Sequence, residues 1–131
     1  MRGSRGQIIV AEAIGTFTLI FIGVLAVTAA DLVGAPAGLV TLTTIALAHG
    51  LAIGVMVAAA GAVSGGHFNP AITLGFVVTG RMGIGEGAVY WASQLAGAVL
   101  AAFLLVGLIG TEAVALGTPD LGAGVAFGGG A

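Results

Sequence analysis

Ser64-Gly65-Gly66-His67-Phe68-Asn69-Pro70-Ala71-Ile72-Thr73-Leu74-Gly75 stands mid-chain between two long apolar runs. It opens glycine-rich and polar, then turns into a helix-like segment. Asn69 suits an N-cap, where its side-chain oxygen accepts a backbone N–H of the first turn. Pro70 then falls at the first helical position, where a missing N–H costs nothing. An Asn amide carries both an acceptor and donors. With its oxygen used in capping, Asn69 keeps an N–H₂ group to donate elsewhere. The stretch therefore predicts a helix start with a donor at its tip, set inside a very hydrophobic protein.

The surrounding composition is that of a membrane protein. Of 131 residues, 59% are hydrophobic and 6% charged, where soluble domains carry about 25% charged residues. Mean hydropathy is +1.22. The net charge of −2 provides no basic footprint for nucleic acid, so no nucleic-acid partner is expected. The chain has no cysteine, which excludes disulfide and thiol chemistry.

Outward from the central stretch, three segments have the length and polarity to cross a bilayer, about 20 apolar residues each. They are read at residues 8–30, 37–60 and 86–109. The first is too long for the h-region of a cleaved signal peptide. Met1 to Gln7 reads as a short polar leader, of which Met1 to Ser4 resembles an expression scar. Pro36 reads as the start of the second span. In that span Gly50, Gly54 and Ala58 share one helix face, a small-residue stripe that admits close approach of another helix. Ser93, Gly97 and Ala101 repeat the pattern in the third. Tyr90 and Trp91 read as interfacial anchors.

Between the second and third spans lies a segment, residues 61–80, too short to cross. Twelve helical residues from Asn69 would reach only ~18 Å. The economical reading is a re-entrant loop and half-helix that returns to the face it came from. Its irregular backbone must be buried in protein or line water. The expected fold is an all-α membrane protein: three transmembrane helices plus one re-entrant half-helix, followed by a loosely ordered small-residue tail at 110–131. The whole forms one unit embedded in the lipid bilayer. Three crossings put the two termini on opposite sides. Arg2, Arg5 and Arg81 fall on the N-terminal side, which places that side in the cytoplasm by the positive-inside rule.

The twelve-residue run Ser64 to Gly75 resembles the first Asn-Pro-Ala loop of the aquaporin family, the membrane channels for water and small neutral solutes. Ala11-Glu12-Ala13-Ile14-Gly15-Thr16-Phe17 is similar to the family's first-helix signature. The resemblance covers nearly the whole chain, and the chain covers half of the family's right-handed bundle. It implies the Asn69-Pro70-Ala71 tip as a pore element. It implies backbone carbonyls of Gly65, Gly66, His67 and Phe68 turned to the pore, with His67 fixing the loop. It puts His49 at the second-helix position of the selectivity constriction and Ile53 and Ile72 in the apolar wall. Ile72 stands where the family's other repeat carries an arginine. Glu12 is implied as a brace for loop backbone, which agrees with the rule that intramembrane acids face the bundle interior. Gln94 is read as a buried interhelical hydrogen-bonding residue.

Glu12, His49 and His67 share no local ligand spacing, so no metal is expected. No catalytic set and no cofactor motif is apparent, and no enzymatic activity is expected. The expected function is a passive channel for water or small neutral solutes such as glycerol, in the inner or plasma membrane. One copy cannot enclose the family pore. Two inverted copies could, within a larger homo-oligomer. The alternatives are one subunit of a split channel completed by a different chain, and a non-conducting fragment or scaffold.

Overall fold

A computed structural model describes residues 3–117. Five helices follow one another: α1 (Arg5–Leu32), α2 (Leu39–Ser64), α3 (Pro70–Val78), α4 (Ile84–Ile109) and α5 (Thr111–Gly117). Three of them, α1, α2 and α4, are long and apolar enough to cross a membrane.

α1 extends past both bounds expected from hydropathy, α2 past its end and α4 past its start. α1 starts at Arg5, inside the stretch read as a leader. Ser4 Oγ accepts from the Gln7 amide and Gln7 Oε1 accepts from the Ser4 amide, a reciprocal capping box. α1 closes in a Schellman motif. Gly34 adopts φ +61°, and the amides of Gly34 and Ala35 donate to the carbonyls of Asp31 and Ala30. α2 begins at Leu39 rather than at Pro36, whose carbonyl instead accepts from Thr41 Oγ1 at 2.9 Å.

α2 also runs on to Ser64, through residues 61–64 read as part of the re-entrant loop, and stops at Gly65 in the left-handed region (φ +95°). Between α2 and α3 the irregular backbone is residues 65–69. α3 has nine residues and reaches ~13.5 Å. It ends before Gly80 because Gly80 (φ +70°) closes a second Schellman motif, with the amides of Gly80 and Arg81 on the carbonyls of Val77 and Phe76.

α1 is the centre of the bundle and packs along both α2 and α4. It runs antiparallel to α2: the Gly3 amide donates to the Val63 carbonyl, and Gly23 lies against His49. It runs parallel to α4, where Gly97 meets the backbone of Ala13. A Cβ at Gly97 would stand 2.1 Å from the Ala13 carbonyl oxygen, so only hydrogen fits there. Ser93, Gly97 and Ala101 are all buried, as the small-residue pattern predicts. The half-helix α3 packs on α4 and makes no close approach to α2. The tail read at 110–131 opens with α5, which packs against α1 and α4, with Gly117 on Val24. Residues 118–131 lie outside the described residues.

Burial is inverted relative to a water-soluble domain. Glu12, Thr16, Ser64, His67, Thr73 and Gln94 are buried, while leucines and valines along all three long helices are exposed. In lipid, polar groups must find partners inside the protein, and apolar side chains lose nothing by facing out. α2 is the least covered span: only Ala52 and Ser64 are buried. Among the described residues nothing lies within 4 Å of a Cβ built at Gly50 or Gly54, and Ala58 is exposed beside them.

Candidate functional site: the re-entrant loop and its brace

The loop 65–69 is held by one carboxylate. Glu12 is fully buried on α1. Its Oε1 accepts from Ser64 Oγ at 2.6 Å and from the His67 amide at 3.1 Å. Its Oε2 accepts from the Phe68 amide and from Gln94 Nε2, both at 2.8 Å. A carboxylate has about four lone-pair sites, and four donors fill them. Ser64 Oγ in turn accepts from the Gly66 amide at 3.1 Å. The N–H groups of residues 66, 67 and 68 therefore all point inward. The carbonyls of Gly65, Gly66 and Phe68 accept no hydrogen bond among the described residues.

That arrangement requires unusual backbone. Gly65, Gly66 and Phe68 have φ of +95°, +66° and +47°. Glycine takes positive φ without cost, but Phe68 does not. Phe68 is held there by its two surroundings. Its amide is tied to Glu12, and its buried ring lies on Gly15 of α1, where a Cβ would come within 2.1 Å of it.

Thr73, one turn into α3, ties the half-helix to the same network. Its Oγ1 accepts from Gln94 Nε2 at 3.0 Å and meets His67 Nδ1 at 3.0 Å. The His67 ring is buried between Phe76 and Tyr90, at centroid distances of 4.4 and 4.9 Å. Gln94 thus joins the two helices that flank it, as an interhelical bond should. Its Oε1 and the buried Thr16 Oγ1 find no hydrogen-bond partner among the described residues.

One aromatic residue differs from its reading as an interfacial anchor, and its neighbour has a further partner inside the protein. Tyr90 is fully buried, and its hydroxyl donates to the Ser64 carbonyl at the end of α2. Trp91 Nε1 donates to the Pro70 carbonyl at 3.0 Å. Each donates to a carbonyl that borders the loop, since Ser64 ends α2 and Pro70 opens α3, and inside an apolar span such polar side chains find their partners within the protein. The sequence alone does not mark Ser64, Thr73, Tyr90 and Trp91 as site residues. Thr73 carried a signal all the same: it is the polar residue of an otherwise apolar half-helix, four positions after Asn69.

At the tip, Asn69 Oδ1 accepts from the Ala71 amide at 2.8 Å, with Pro70 at the first helical position. The cap is the one its residues predict. Asn69 Nδ2 donates to no group among the described residues, and the side chain is half-exposed. Trp91 and Gln94 set the level of this tip at ~10–15 Å along α4. Val77, near the far end of α3, lies beside Gly87 close to the start of α4. The half-helix therefore enters the bundle and returns to the face it came from. Of the remaining residues read as pore wall, Ile72 is exposed and Ile53 is half-buried on α2. His49 is half-buried between α2 and α1, with Nδ1 at 2.9 Å from the Ile45 carbonyl. No group of three or more possible metal ligands occurs among the described residues.

Apolar spans outside, a polar brace inside and a helix that re-enters from one face define an α-helical multi-pass membrane protein with a re-entrant half-helix. The chain belongs to the major intrinsic protein family, whose model matches residues 3–130. It is 45% identical to aquaporin TIP4-4 of Zea mays over 121 residues, which is 89% of this chain and 47% of that protein. It is 46% identical to aquaporin TIP2-3 of Zea mays over 101 residues, 73% of this chain and 40% of the relative. Aquaporin NIP3-1 of Arabidopsis thaliana is 41% identical over 99 residues, 76% of this chain and 30% of that protein. The chain thus spans about half the length, or less, of the curated relatives it matches. The family is one of channels, not enzymes.

Proposed function

We propose that this chain forms half of a passive transmembrane channel for water and small uncharged solutes such as glycerol, and that an inverted second copy supplies the other half. The observation that carries the reading is the tip of α3: a capped helix start inside the span, with the Asn69 amide unpartnered. A helix N-terminus carries roughly half an elementary positive charge. Aimed into a pore, that charge repels cations and protons, while Asn69 Nδ2 donates to a passing oxygen. The loop carbonyls of Gly65, Gly66 and Phe68, which accept no hydrogen bond among the described residues, accept from its hydrogens. Ile53 and Ile72 add apolar wall, and His49 narrows the opening.

The open side of the molecule supports pairing. Among the described residues α2 presents Gly50 and Gly54 to open space, with Ala58 exposed beside them, and α3 stands apart from α2. A second copy related by a twofold axis in the membrane plane would cover that side and bring a second Asn69 tip to the first. Larger assemblies of such pairs, in the inner or plasma membrane, complete the proposal. One observation favours a second half of different sequence. Arg5 and Arg81 lie at the same end of the bundle, which biases insertion toward one orientation.

The test is reconstitution of the purified chain alone. Proteoliposomes should shrink faster than empty liposomes in an osmotic gradient and re-swell as glycerol enters. Permeability equal to that of empty liposomes would remove the self-assembled channel. The chain lacks cysteine, so a Gly85→Cys variant carries a single label site in open space. An inverted pair requires label on both membrane faces in cells. Label on one face alone supports a second half of different sequence.

A further inference from the structure

Gly23 of α1 is buried against His49 of α2. A Cβ built at Gly23 would stand 2.3 Å from His49 Nε2 and 2.6 Å from His49 Cδ2, closer than real Cβ atoms come. On its other side the imidazole is tethered to its own helix, Nδ1 lying 2.9 Å from the Ile45 carbonyl. A carbonyl oxygen only accepts, so Nδ1 carries the proton and donates. The ring therefore lies at a depth defined by two contacts: the Ile45 carbonyl and the bare backbone of Gly23.

We infer that Gly23 is a positioning residue, which by its missing side chain lets the His49 imidazole lie back in the α1–α2 seam and so sets the size of solute that passes. The inference rests on the channel reading above. A methyl group at Gly23 needs ~3.5 Å or more to the ring atoms, so the imidazole must shift by ~1 Å away from α1. His49 is only half-buried, and α3 makes no close approach to α2. The open side of the seam is therefore where the ring can go, and there it narrows the passage. Glycerol, wider than water, meets that narrowing first.

The experiment compares Gly23→Ala, His49→Ala and the double variant with the unmodified chain in proteoliposomes, reading the ratio of glycerol to water permeability. Gly23→Ala should lower the ratio about tenfold, the change that ~1.4 kcal/mol of added barrier produces, while water still passes. His49→Ala should raise it. The double variant should match His49→Ala alone, because no ring remains to be displaced. An unchanged ratio in Gly23→Ala that still conducts water overturns the inference. So does a double variant in which Gly23→Ala lowers the ratio as much as it does with His49 present.

Reaction with diethyl pyrocarbonate adds a readout independent of conduction. His49 and His67 are the two histidines, and His67 is 1% exposed. Gly23→Ala should speed modification of His49, followed by mass spectrometry, and leave His67 slow. Equal His49 rates in the two proteins overturn the displacement. If the unmodified chain conducts nothing, the channel reading and the selectivity role fall together, and the modification rate alone decides whether Gly23 positions the ring.

Discussion

The Phe68 amide lies 2.8 Å from Glu12 Oε2, across 56 positions of sequence. This bond joins the one non-glycine residue with positive φ among the described residues to the one fully buried carboxylate among them. Each explains the other. A left-handed phenylalanine persists only where its surroundings over-determine it, and a buried carboxylate only where donors fill its lone pairs.

Replacing that carboxylate by an amide should loosen the loop. Glu12→Gln puts an N–H₂ group where two donors now point, and a buried donor left unmade costs about 1–3 kcal/mol. The expected result is a loss of at least ~2 kcal/mol in unfolding stability in detergent. Solute flux should fall with it. Wild-type stability in Glu12→Gln would show that the four hydrogen bonds contribute little.

The seat of the Phe68 ring gives a separate test. Gly15→Ala places a Cβ 2.1 Å from that ring, which must move. Overpacking of this kind typically costs about 1–3 kcal/mol. Phe68→Leu in the Gly15→Ala background should recover part of it, since a smaller side chain needs less of the seat. Thermal unfolding of both variants measures the coupling, and strict additivity would argue against direct contact.

Asn69→Asp retains the cap, because an oxygen still accepts from the Ala71 amide, but it exchanges a donor for a negatively charged acceptor. Permeation of water should drop, and exclusion of cations should weaken. The check is osmotic flux together with cation leak in the same proteoliposomes. Unchanged values for both would remove Asn69 Nδ2 from the permeation path.

Two glycines that look alike in sequence should behave differently. Gly97→Ala directs its methyl at the Ala13 carbonyl and should cost about 1–3 kcal/mol of stability within a single copy. Gly54→Leu meets open space in one copy, so it should leave the fold of the monomer intact. It should instead abolish association and flux, if the α2 stripe is the pairing face. Unfolding midpoints and cross-linking of the two variants separate the cases.

What the sequence determined by itself was set by local rules. Asn69-Pro70 announced a capped helix start, because capping depends on adjacent residues. The three spans followed from apolar length, and the buried Ser93, Gly97, Ala101 face from a four-residue repeat. The family resemblance then marked Glu12 as a brace for the loop. Only the tertiary structure decided the rest. That Tyr90 and Trp91 hold the carbonyls on either side of the loop, that Thr73 joins His67 to Gln94, and that Gly23 seats His49 all depend on contacts between segments far apart in sequence. A polar or aromatic residue in an apolar span can face lipid headgroups, solvent or a buried partner with the same local pattern. The choice is made by where irregular backbone inside the span leaves hydrogen-bonding groups that lipid does not satisfy.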